Sequence, residues 1–178
     1  MSKPQTLPLR DAYDKILDAR AIHRKIVRIA FEIWEDNYDE PELVIAGIGH
    51  DDEGYALAER LTVELRRIAD KPVHLTSINL DKAHPTSKPI ETGLTPEIVN
   101  GRTVVVVDDV ANSGRTLLYA IKPLLDMAPR KIRVAVLVDR LHKAYPISAD
   151  YVGTSLSTTL HEHIDVVLQG EDPGVFLS

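Results

Sequence analysis

Four consecutive valines, Val104 to Val107, constrain the fold more than any other feature of the chain. A run without alternation has no polar face, so it reads as a strand buried on both sides. LVIAGIG at 43–49 and IRVAVLVD at 132–139 share that character, and PVHLTSINL at 72–80 reads as a further strand. Helical patterns lie between them. Ile22, Ile26, Ile29 and Ile33 form the stripe of a helix expected over 11–36, and Leu57, Leu61, Leu65 and Ile68 that of a helix over 54–69. A third helix is expected over 114–128, with Pro123 as a kink, and two shorter strands at 149–154 and 164–169. Residues 81–101 are rich in Pro, Thr, Ser and Gly and have little periodicity. So long an irregular segment inside a compact domain is usually functional or mobile. Buried strands alternating with helices place the chain in the α/β class, with a mainly parallel sheet covered on both faces. The chain has 178 residues, no internal repeat and no linker, so a single domain over 1–178 is expected.

In such sheets, ligands bind beyond the carboxyl ends of the strands. The valine strand ends at Asp108 and Asp109, and the turn Ala111-Asn112-Ser113-Gly114 then leads into a helix. A helix amino terminus offers unpaired N–H groups to a phosphate. Ser113 and Thr116 add hydroxyls, and Gly114 allows close backbone approach. Carboxylates repel phosphate, but they accept hydrogen bonds from sugar hydroxyls and hold Mg²⁺ directly or through water. A ligand that wants both carries a phosphate at one end and a vicinal diol beside it, as a ribose 5-phosphate group does. A buried strand with an ordinary Asp cap would explain one acid, not two followed by Ser-Gly-Arg-Thr. The absence of cysteine excludes disulfides, thiolate catalysis and cysteine zinc sites. A net charge of -6 argues against a generic nucleic-acid binder. The start, MSKPQTLPLRDAYDK, has no apolar signal-like stretch, and no apolar run suits a membrane span. A cytoplasmic protein with no membrane partner is expected.

VVVVDDVANSGRT (104–116) resembles the phosphoribosyl pyrophosphate (PRPP) motif of type I phosphoribosyltransferases. VAVLVDRLHKAYPISADYVGTSLST (134–158) and the helix AIHRKIVRIAFEIWEDN (21–37) are similar to the bifunctional pyrimidine-operon attenuator and uracil phosphoribosyltransferase family. The resemblance extends from Ile16 to Leu168. It implies a five-stranded, mainly parallel sheet flanked by helices, a flexible active-site loop and a small hood. It also implies PRPP, uracil or another free base, and a nucleoside monophosphate as ligands, Mg²⁺ as cofactor, and a homo-oligomer. By this resemblance Asp108 and Asp109 face the ribose hydroxyls and the metal. The backbone of Ala111, Asn112, Ser113, Gly114, Arg115 and Thr116 holds the 5-phosphate, Gly49 and His50 meet pyrophosphate, and Lys82 is a catalytic cation. Val138, Asp139 and Arg140 would contact the pyrimidine. Purine-specific relatives usually carry an aspartate at the position of Asn112, where it can accept a proton; an amide cannot.

Two segments depart from the family pattern. The pyrophosphate loop resembles Gly-Ile-Lys-Thr-Arg-Gly in active members, whereas here it reads Gly47-Ile48-Gly49-His50-Asp51-Asp52-Glu53-Gly54. A pair of like charges near a surface costs on the order of 4 kcal/mol at about 4 Å. The acids are therefore hostile to pyrophosphate unless Mg²⁺ intervenes or they turn outward; alternatively the loop is solvated and caps the next helix. In place of a Tyr-Arg-Asp-Asp-like run stands Asn79-Leu80-Asp81-Lys82-Ala83-His84-Pro85, without arginine. On the enzyme reading, impaired turnover is expected. A nucleotide-sensing homologue with little turnover and an RNA-binding operon regulator are the alternatives. Arg20, Arg24 and Arg28 lie one turn apart on the first helix, but Val27, Phe31, Ser148 and Thr154 interrupt the basic face, which disfavours RNA. His161-Glu162-His163 offers two ligand spacings and no third ligand, so a polar turn is expected there rather than a metal site.

Overall fold

A computed structural model of the chain describes residues 14–159 and 162–178. The central sheet has six strands, in the order Glu91–Thr92, Val73–Asn79, Leu43–Ile48, Thr103–Ala111, Lys131–Arg140 and Tyr151–Leu156. Five strands run parallel: β2 (Leu43–Ile48), β3 (Val73–Asn79), β5 (Thr103–Ala111), β6 (Lys131–Arg140) and β7 (Tyr151–Leu156). The sixth, β4 (Glu91–Thr92), is a two-residue antiparallel edge on β3. It lies within the segment expected to be irregular, as does the short helix α3 (Pro96–Val99).

The valine run does what its composition requires. All four side chains are fully buried, and they alternate between two cores. Val105 and Val107 face α1 (Ala19–Asp36) and α2 (Glu53–Ile68), where Ile22, Ile26, Ile29 and Ile33 meet Leu57, Leu61 and Leu65. Val104 and Val106 face the opposite core, with Val99 and with Leu117, Ala120 and Leu124 from the α4 (Arg115–Ile121) region. At about 25 cal/mol per Å² of apolar surface, each such side chain contributes on the order of 2 kcal/mol before entropy is counted.

Three boundaries differ from expectation. The first helix begins at Ala19, not at residue 11, because Asp18 caps it by accepting from the Ala21 N–H at 2.7 Å. Residues 14–18 form β1 (Asp14–Asp18), and 11–13 lie outside the described residues. β1 pairs with β9 (Gly174–Leu177), which pairs with β8 (Ile164–Val167), making a small separate antiparallel sheet. The strand expected to stop at Val107 continues to Ala111, where Asp108 lies opposite Val136 and Ala111 opposite Asp139. The third helix gives way after Ile121 to a 3-10 turn, Lys122–Asp126, because Pro123 has no N–H to donate.

Candidate functional site

Three segments meet where β2, β3 and β5 end. Asp108 is 3% exposed, because the start of α2 packs directly over it. A Cβ on Gly54 would lie 2.6 Å from Asp108 Oδ1 and 2.8 Å from the Ile48 carbonyl, so only glycine lets that helix approach. Lys82, from the segment after β3, enters the gap. Its Nζ lies 3.2 Å from Asp108 Oδ1, 3.4 Å from Asp52 and 4.0 Å from Asp109. Burial, reinforced by the neighbouring Asp109, raises the Asp108 carboxyl well above its ordinary value, against the pull of Lys82. Burial works to lower the Lys82 ammonium, yet Asp108, Asp109 and Asp52 together hold it above its ordinary value. The site therefore carries surplus negative charge that one ammonium only partly balances.

The three acids of the 49–54 loop go three separate ways. Asp51 is exposed, Asp52 turns in to Lys82, and Glu53 accepts the Leu168 N–H at 2.9 Å. Asp52 stands at the cap position of α2, but its side chain makes no capping hydrogen bond. Gly49 adopts φ 89°, and the His50 ring leans on Tyr55 with centroids 5.6 Å apart.

The turn after β5 is held from outside. The Ser113 carbonyl accepts from the Ala144 and Tyr145 N–H groups at 3.0 and 3.1 Å. Gly114 adopts φ 85°, and a Cβ there would strike Ile147 at 2.7 Å. Arg115 does not reach inward; its Nη2 donates to the Lys82 and Ala83 carbonyls at 3.1 and 3.2 Å, tying the 81–90 segment to the turn. A small pocket remains, lined by Asp108, Asn112, Ser113, Gly114, Arg115 and Thr116 among others.

On the opposite flank stand Val138, Asp139 and Arg140, the residues expected to meet a pyrimidine. Val138 is fully buried in the core, so its side chain cannot meet a base in this conformation. Asp139 is ion-paired with Lys143, which also donates to the Arg140 carbonyl. Arg140 is 7% exposed and makes internal bonds to Thr158, Thr159 and Asn112. Sequence reasoning missed Asp52, Lys143 and Thr158 as partners, because each meets its partner through the fold or a tight local turn, with no motif to mark it. The arginine stripe of α1 is partly committed as well. Lys25 donates to the Gly153 carbonyl at 3.0 Å, and Arg28 to those of Val152 and Gly153 at 2.8 Å each. Arg28 also pairs with Glu32.

Among the described residues, no group of three or more His, Cys, Asp or Glu could hold a metal ion unaided. His161 lies outside the described residues, and His163 sits 3.5 Å from Asp165. Mg²⁺ commonly takes one or two carboxylates and completes its shell with water and substrate phosphates. Asp108 and Asp109, adjacent, carboxylate-bearing and short of positive charge, fit that mode. No described helix is long and apolar enough to cross a membrane.

A phosphoribosyl transferase domain model matches residues 12–170. The bifunctional protein PyrR of Streptomyces coelicolor is 38% identical over 164 residues, covering 88% of this chain and 84% of that protein. PyrR of Pelotomaculum thermopropionicum is 39% identical over 173 residues, covering 92% and 94%. Among solved structures, a hypoxanthine-guanine phosphoribosyltransferase from Bacillus anthracis superposes with a TM-score of 0.65 at 21% identity, over 81% of this chain and 82% of that one. The Trypanosoma cruzi hypoxanthine phosphoribosyltransferase, in complex with the product IMP, gives 0.65 at 21% identity, over 80% and 75%. At that identity the structural matches establish the shared fold.

Proposed function

The chain belongs to the phosphoribosyl transferase domain family, and from that premise we propose that it binds PRPP with Mg²⁺ and transfers the phosphoribosyl group to uracil. The observation that carries this reading is the placement of Asp108 and Asp109 at the end of β5, directly before the 111–116 turn. In the proposed reaction the base nitrogen forms a bond to the anomeric carbon, and the bond from that carbon to pyrophosphate breaks. The electron pair leaves on pyrophosphate, the nitrogen's proton passes to solvent, and the product is a nucleoside monophosphate. Asp108 and Asp109 accept from the ribose hydroxyls and would hold the metal, which supplies charge neutralisation when bound. The turn backbone with Ser113 and Thr116 holds the 5-phosphate. Gly49 and His50 lie on the pyrophosphate side, and Lys82 is the nearby cation. Positioning and charge stabilisation account for most of the rate in such a scheme.

Because Lys82 is shared among three acids, we expect slow turnover with a steep Mg²⁺ dependence. The same proposal places the protein in the cytoplasm as a homo-oligomer. The test is pyrophosphate release from PRPP with a panel of free bases across a Mg²⁺ series. Uracil-dependent release is expected, together with loss of PRPP binding by calorimetry when Asp108→Asn and Asp109→Asn are combined. Unchanged PRPP affinity in that double variant would remove the ribose assignment.

A further inference from the structure

We propose that Arg140 is a positioning residue that fixes the Asn112 amide with its NH₂ group toward the base, so that the site selects a base with a carbonyl oxygen beside the attacking nitrogen. The inference rests on the phosphoribosyl transfer reading and specifies its acceptor side.

A guanidinium has five N–H donors and no acceptor, and it stays charged. Arg140 Nη1 lies 3.2 Å from Asn112 Oδ1. Whatever side of the amide meets it must be the carbonyl oxygen, since the NH₂ group would present donor to donor. Arg140 is not free to turn away. Its Nε donates to Thr158 Oγ1 at 2.8 Å and its Nη2 to the Thr159 carbonyl at 3.0 Å. Lys143 bonds both the Arg140 carbonyl and the Ala111 carbonyl, the latter at 3.3 Å, and so ties the ends of β5 and β6 together. Asn112 itself is exposed at the pocket that Asp108, Ser113 and Thr116 also line. Its orientation is therefore imposed by a buried neighbour, and its outward group is a donor only.

Sheet order says what that donor faces. β5 lies between β2 and β6. The 49–54 loop and Lys82 occupy the β2 side of the acid pair, whereas Asn112 and Arg140 occupy the β6 side. Displacement at the anomeric carbon brings the incoming nitrogen in from the side opposite the leaving group. With pyrophosphate on the β2 side, the base comes over β6, beside Asn112. In a pyrimidine, the nitrogen that forms the new bond is flanked by the 2-carbonyl. A donor there binds that oxygen, and binds it more strongly as negative charge gathers on it during loss of the N–H proton. A base that presents an N–H at the same place meets donor with donor and is rejected.

The test compares uracil with 2-thiouracil, whose sulfur is a weak acceptor, as substrates with PRPP and Mg²⁺. The wild type should favour uracil in kcat/KM by about tenfold, the scale of one hydrogen bond to a polarised carbonyl. Asn112→Ala, which also takes an acceptor from the buried Arg140, should abolish that preference, so that uracil and 2-thiouracil are used with kcat/KM values within about twofold of each other. Arg140→Lys keeps a donor-only neighbour and should retain the preference; Arg140→Met should lose it even where turnover survives. A uracil preference that persists in Asn112→Ala overturns the inference and leaves the transfer reading intact. A wild type that releases no pyrophosphate with either base removes both.

Discussion

At Lys82 one ammonium answers Asp52, Asp108 and Asp109. Lys82 and Asp108 give the balance its pH dependence. Asp108, raised mainly by burial, keeps its proton in the folded state at pH values where the unfolded chain has lost it. The stability from that retained proton is present at low pH and is lost as pH rises from 3.8 through the folded value. Lys82, raised by its three partners despite burial, contributes stability that is fully present below 10.5 and is lost only in more alkaline solution. Lys82→Met should therefore lower Tm at about pH 8, and the difference from wild type should shrink as pH rises beyond 10.5. Thermal melts of both proteins across that range check it; a constant difference would mean that Lys82 contributes packing and not charge. The acid pair and the Ser-Gly turn were legible in the sequence because strand, acids and turn are contiguous. The Lys82–Asp52 partnership was not, since the two residues are brought together only by the adjacency of β2 and β3. Nor did the sequence reveal that Asp51, Asp52 and Glu53 point to three different surroundings, since adjacent residues leave a turn in unrelated directions.

The element that does most to shape the site is α2, through its approach to the end of β5. Gly54 stands in the first turn of that helix, with Asp108 Oδ1 and the Ile48 carbonyl both inside contact distance of any added methyl. Gly54→Ala should gain helix propensity of roughly 1 kcal/mol in isolation. Here it must displace backbone or a buried carboxylate, so a net loss of about 1–3 kcal/mol is expected. Denaturant unfolding measures it, and a midpoint equal to or above that of wild type would show that the helix end can move freely. The helices and parallel strands were read well because their stripes and apolar runs are long. Their ends were read less well: β5 carries its ladder through both acids because β6 is long enough to pair with them. Asp18 likewise moves the start of α1 inward by supplying the first cap, a short-range choice that helical periodicity does not register.

Across the whole molecule, the small sheet β1-β9-β8 was the least visible part of the fold. β8 falls within the strand expected at 164–169, but β1 and β9 are four or five residues long and come from opposite ends of the chain, so neither periodicity nor proximity marks them. Leu168, directly after β8, ties the small sheet to α2 by donating its N–H to Glu53 and accepting from Arg60 at its carbonyl, and Ile164, Val166 and Val175 share the core of that helix. Charge at this scale also bears on the RNA-binding alternative. A net charge of -6 repels a polyanion, so RNA binding would need a dense local basic face. The best candidate face is α1, yet Lys25 and Arg28 are drawn onto the carbonyls of β7, and Arg28 is further neutralised by Glu32. These cations cover the backbone of an edge strand and are not spread out to follow phosphates. Phe31, 46% exposed on the same helix, adds an apolar break. Phosphate contacts supply most of the affinity in such complexes and weaken steeply with salt. A pyrimidine-leader RNA hairpin should therefore show no specific shift at about 150 mM salt, and any binding at low salt should be equally strong for an unrelated hairpin. Gel shift with both RNAs across a salt series checks this. Selective binding that survives physiological salt would mean that Lys25 and Arg28 leave β7 for the RNA, and the regulator reading would then take precedence.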